Sequence, residues 1–111
     1  MEISNLESPV IVKVQVDEDG LVNHTVSSFN KDLDLETMQT VIGRGNSNSS
    51  NGWFNCYIDI LKSACGKFDI VTDADGKLRS LPINKLATDL YDRPDDYIVG
   101  DVIIAPVGLI D

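Results

Sequence analysis

Four valines set the first constraint on the fold. Val10, Val12, Val14 and Val16 alternate with Ile11, Lys13 and Gln15 after Pro9, and a period of two puts all four on one face of an extended strand. Asp17-Glu18-Asp19-Gly20 then supplies a tight turn in which the glycine tolerates positive φ, so Leu21 to Ser28 reads as the returning strand. The N-terminal unit, about residues 9–28, is predicted to be a β-hairpin.

A helix follows. Asp34 is a natural cap, the apolar side chains of Leu35, Met38, Val41 and Ile42 recur at helical spacing, and Gly43 is the expected stop. From Gly43 to Gly52 no residue carries an apolar side chain, which predicts a long exposed loop. The period of two returns from Trp53 to Leu61, with Phe54, Cys56, Ile58 and Ile60 on one face. Phe68 to Thr72 reads as an antiparallel partner, and Asp73-Ala74-Asp75-Gly76 turns the chain into a third strand over Lys77 to Leu81, a meander.

Pro82 suits the first turn of a second helix, with Ile83, Leu86, Ala87 and Leu90 on one stripe and Asp92-Arg93-Pro94 ending it. Tyr97 to Val107 carries the nearly continuous apolar run Val102-Ile103-Ile104 of a central strand. The pattern predicts an α+β fold, a mostly antiparallel sheet of about five or six strands with two short helices. At 111 residues and 42% apolar composition the chain suits one domain, 1–111, with one core.

Charge narrows the functions. Eighteen acidic against nine basic residues give a formal charge of −9, which argues against direct binding of nucleic acid, because neutralising phosphates takes a concentrated basic surface. No apolar run approaches a membrane span of about 20 residues, and Met1-Glu2-Ile3-Ser4 opens neither a signal peptide nor a transit sequence. A cytoplasmic protein is expected, with the acidity serving solubility.

Reactive constellations are hard to find in the chain. Cys56 and Cys65 have no partners at zinc spacing, and are expected to be free thiols, Cys56 on a buried strand face and Cys65 in the turn-like Ala64-Cys65-Gly66. Asp17-x-Asp19-Gly20 and Asp73-x-Asp75-Gly76 share the centre of a calcium loop, but the outer ligand positions hold Gln15 and Val26 in one case and Val71 and Pro82 in the other. The one histidine, His24, falls on a strand face with Val22 and Val26, where a partly buried, hydrogen-bonded ring is expected. No nucleophile elbow, phosphate loop or metalloprotease helix occurs in the sequence, so neither enzyme activity nor a metal or cofactor is expected.

Groups suited to holding an anion do occur. Arg44 lies in the polar loop, Trp53 stands at its end for stacking, and Arg79 and Lys85 flank the step Leu81-Pro82-Ile83-Asn84, where helix N-terminal amides favour negative charge. Arg44, Trp53, Arg79, Asn84 and Lys85 are therefore the expected ligand-binding set.

Three segments carry a family resemblance: Phe68-Asp69-Ile70-Val71, then Asp75-Gly76-Lys77-Leu78-Arg79-Ser80-Leu81-Pro82-Ile83-Asn84, then Ile98-Val99-Gly100-Asp101-Val102-Ile103-Ile104. With them the chain resembles domain-of-unknown-function 3846, small proteins of phages, plasmids and their bacterial hosts, over about residues 35–106. The N-terminal valine hairpin and the Gly/Asn/Ser loop depart from that pattern. The resemblance implies a mobile-element accessory protein inside a bacterium, directed at host defence. Two functions follow as expectations. One is a non-enzymatic protein, acting alone or as a homo-oligomer, that sequesters a small anionic, nucleotide-like immune signal. The other is an acidic inhibitor that engages a basic host defence enzyme as a partial DNA mimic or steric blocker.

Overall fold

The computed structural model describes residues 7–46, 56–91 and 93–110. Their order is β1 (Val10–Val16), β2 (Val22–Ser28), α1 (Leu35–Asn46), β3 (Ile58–Lys62), β4 (Phe68–Asp73), a 3-10 turn (Lys77–Arg79), α2 (Lys85–Leu90) and β5 (Val102–Pro106). The five strands form one antiparallel sheet in the order β2-β1-β5-β4-β3, so the fold is α+β. The hairpin is as expected: Val12 pairs with Val26 and Val16 with Val22. At its turn the Asp17 carboxylate accepts the amide N–H groups of Asp19 and Leu21, both at 2.9 Å, and Gly20 has φ +82°.

Alternation sorts the apolar residues onto two faces. Val10, Val12, Phe68, Ile70, Val102 and Ile104 meet Ala87 of α2 on one side. Ile11, Val71 and Ile103 meet Met38 and Ile42 of α1 on the other. Burying each such side chain contributes about 1.5–3 kcal/mol, and coverage of both faces explains why β4 and β5 are enclosed along almost their whole length. Val102-Ile103-Ile104 is central, as its apolar run predicted.

Four expectations need correction. First, α1 continues through Gly43 to Asn46, because the small glycines let the helix end approach the sheet and Asn46 closes it by a tertiary hydrogen bond described below; residues 47–52 of the predicted loop lie outside the described residues. Second, Lys77 to Leu81 is not a strand. The Asp73 carboxylate accepts the Asp75 amide at 2.9 Å, the turn winds on, and Leu78 stands 85% exposed, so no alternating face exists to bury. The meander reduces to the β3–β4 hairpin. Third, α2 begins after Asn84, whose side chain accepts the Ala87 N–H at 3.0 Å, not at Pro82. Fourth, His24 sits exposed on the edge strand β2, and its Nε2 accepts the N–H of Lys85 at 3.0 Å, helping to cap α2 from another element. The predicted strand from Trp53 begins at Ile58 among the described residues, and β5 is shorter than Tyr97 to Val107 because Gly100, at φ +77°, bends the chain before it.

Candidate functional site

The expected ligand-binding residues that the structure describes do not all come together. Arg44 is exposed in the last turn of α1, while Lys85 opens α2, and the two helices cover opposite faces of the sheet. Lys85 pairs with Asp89 one turn on, Nζ to Oδ2 3.2 Å, an exposed pair of small value. Trp53 lies outside the described residues. Arg79 gives Nη1 to the enclosed carboxylate of Asp73 at 2.6 Å. Asn84 is fully buried, donating to the carbonyls of Gly100 (2.9 Å) and Val12 (3.4 Å) while its oxygen caps α2.

What gathers instead is an internal polar junction at the end of β1 and the start of β5. The Asp101 carboxylate accepts the Val14 N–H at 2.9 Å, and the Asp101 amide donates to Asn46 Oδ1 at 2.7 Å. Asn46 Nδ2 reaches Asp73 Oδ2 at 3.5 Å, beside Arg79. Burial pushes the Asp101 carboxyl above the ordinary carboxylate range, against the pull of the Val14 amide and Lys13. A Cβ added to Gly45 would run into the Asp101 carboxylate, and one added to Gly100 would stand 2.8 Å from both Asn46 Oδ1 and Leu81 Cδ1. Close approach, not loop flexibility, accounts for these glycines. The cleft of about 410 Å³ above the junction, between β1, the last turn of α1 and Leu81-Pro82, has no cationic side chain in its lining. An anion placed there would face the buried carboxylates beneath.

A second cleft, of about 600 Å³, is different in kind. It opens between the start of α1, β3 and the segment after β5. Leu33, Leu35, Met38, Ile60, Leu109 and Ile110 supply its apolar lining, and Asp32 and Asp34, both exposed, complete it. Leu35, Ile60 and Leu109 are 60%, 46% and 49% exposed, an adjoining set of apolar surface rather than scattered residues. Asp34 caps α1 by accepting the Thr37 N–H at 2.7 Å, and the hydrogen bonds from Thr37 hold its carboxyl below the ordinary range, so it is anionic at neutral pH.

Sequence reasoning missed this cleft because it treated Leu35 and Ile60 as core by periodicity. The signal was present at Leu35, which is the first apolar residue after the cap and has no earlier turn to cover it. The cysteines add no further site. Cys56 is buried with its Sγ toward the Gln39 carbonyl at 3.6 Å, and burial pushes its thiol up to about 11. Cys65 is exposed, lowered mainly by its hydrogen bond with the Ser63 hydroxyl. No group of three or more His, Cys, Asp or Glu side chains among the described residues is arranged to hold a metal.

Comparison with family models, curated proteins and solved structures finds no match for the chain. No helix among the described residues is long and apolar enough to cross a membrane.

Proposed function

We propose that this is a non-enzymatic binding protein whose target is another protein, engaged through the apolar cleft at Leu35, Ile60 and Leu109 and the carboxylates beside it. The observation that carries this reading is the cleft itself, an exposed apolar surface joined to Asp32 and Asp34 on a chain of net charge −9. Apolar contact supplies affinity, and the acidic field selects a basic partner and speeds its arrival.

The resemblance to small phage and plasmid proteins supplies the setting, an inhibitor that blocks a basic defence enzyme of a bacterial host. Sequestration of an anionic signal has less support, because Arg44 and Lys85 stand on helices covering opposite faces and Arg79 is already paired.

Affinity capture from a bacterial lysate, comparing the native chain with Leu35→Asp/Leu109→Asp, tests the reading. A basic protein retained by the native chain, released by salt and lost with the variant is the expected result. Retention of the same proteins by both forms, or of none by either, would contradict it.

A further inference from the structure

β3 stands at one end of the strand order, and among the described residues it pairs with β4 alone. Its other side has a definite chemistry. Ser63 donates its N–H to Phe68 and Tyr57 accepts from Ala74, so both turn their backbone groups toward β4 and the turn that follows it. Alternation along an antiparallel strand therefore turns the N–H and C=O groups of Ile58, Ile60 and Lys62 outward. Just past the end of β3 the chain has begun to use this side. Ser63 forms an antiparallel bridge with Tyr91, and the Ala64 N–H donates to the Leu90 carbonyl at 2.7 Å.

The two faces of β3 lead into unlike clefts. Ile58, Ile60 and Lys62 share the face that carries the apolar cleft with Leu33, Leu35 and Leu109. Asp59 and Leu61 share the other, where a polar cleft of about 170 Å³ is lined by Asp59, Asp96, Tyr91, Tyr97 and Lys77. In that cleft the Lys77 ammonium lies 4.3 Å from the centre of the Tyr97 ring and pairs with Asp96. The chain's own cation thus occupies an aromatic and carboxylate seat suited to an ammonium or guanidinium.

From this geometry we infer that the partner docks as an extended strand along the outer edge of β3, with apolar and basic side chains in alternation. This rests on the protein-binding reading above. Main-chain hydrogen bonds to Ile58 and Ile60, short of the Ser63–Tyr91 bridge, give the segment its register. Its apolar side chains enter the Leu35–Ile60–Leu109 cleft, and its Lys or Arg side chains enter the seat at Asp59, Asp96 and Tyr97, displacing Lys77. Pockets on alternate sides of an added strand are what give such docking sequence specificity. The net charge of −9 favours this basic occupant over a second copy of the chain.

The probe is a fluorescent peptide of about ten residues in strict Arg-Val alternation, with three controls: the same residues in blocks, the same alternation N-methylated at every second amide, and an Asp-Val version. The alternating peptide is expected to bind with steep salt dependence, at least about tenfold tighter than any control. Asp59→Asn should weaken it and flatten the salt dependence. Lys77→Ala should tighten it, because the cation seat is then vacant, a gain that general damage to the fold would not produce. Equal binding of the blocked or methylated peptide, no effect of Lys77→Ala, or self-association of the chain through β3 would overturn the strand-addition proposal. If the alternating peptide fails while Leu35→Asp/Leu109→Asp still abolishes capture of a protein, strand addition alone falls. If capture is also unaffected, the protein-binding reading falls with it.

Discussion

The polar junction and the apolar cleft invert the usual distribution of residues in opposite senses. At the junction Asn46, Asp73, Asn84 and Asp101 are enclosed; at the cleft Leu35, Ile60 and Leu109 are open to solvent. A buried polar group persists only when its hydrogen bonds are met, and here each is spent on a named part of the fold: a helix cap, a strand end, an ion pair. An exposed apolar group has no such internal account. The difference teaches that Arg79 and Asn84, suggestive of chemistry in the sequence, build the architecture, while the surface we propose for a partner is made of ordinary leucines and isoleucines.

If that contrast is right, damage at the junction appears as lost stability and damage at the cleft as lost binding. The largest effect is expected from Asn84→Ala, which removes the cap of α2 and the donor to two buried carbonyls. A loss of about 3 kcal/mol, read from the urea midpoint, follows from a cap worth about 1 kcal/mol plus groups left unsatisfied. An unchanged midpoint would mean that Asn84 is free to serve a ligand after all. Gly45→Ala comes next, at about 2 kcal/mol, because its methyl meets the Asp101 carboxylate in a packed site.

A smaller effect concerns pH. The Asp101 pKa is raised on folding, so between that raised value and the ordinary carboxylate range the folded state binds more protons than the unfolded one. Its contribution to stability therefore grows as pH falls through that window, opposing Asp17, Asp34 and Asp96, whose lowered values make stability fall with acid below the ordinary range. Asp101→Asn, which keeps the acceptor for Val14, should remove the Asp101 part, visible as loss of the rise in chemical-denaturation midpoints as pH falls towards the ordinary carboxylate range, with the fall below that range unchanged. The smallest stability change is expected at the cleft, where Leu35→Gln should stay within about 0.5 kcal/mol while weakening capture of the partner.

Much of the sheet was legible because its signals are local. The valine alternation, the Asp-Glu-Asp-Gly turn and the central Val102-Ile103-Ile104 run needed no tertiary knowledge. The errors arose where distant residues decide. Gly43 reads as a helix stop until Asn46 is seen to reach Asp101, 55 residues away in sequence. Lys77 to Leu81 reads as a strand until Arg79 is seen to fold back on Asp73. The candidate site was less legible still, since Arg79 and Asn84 carry the same side chains whether they face a ligand or a buried carbonyl. For Leu35, periodicity marks an apolar residue but not which face of the helix lacks a neighbour.

Amide hydrogen exchange of the chain with and without its captured partner tests the central claim most directly. The account expects slowed exchange at Ile58 and Ile60 on β3 and in the first turn of α1, with α2 unchanged. Protection confined to Asn84–Leu90 and the end of α1 around Arg44, with β3 exchanging as before, would contradict it and return the binding site to the polar end of the molecule.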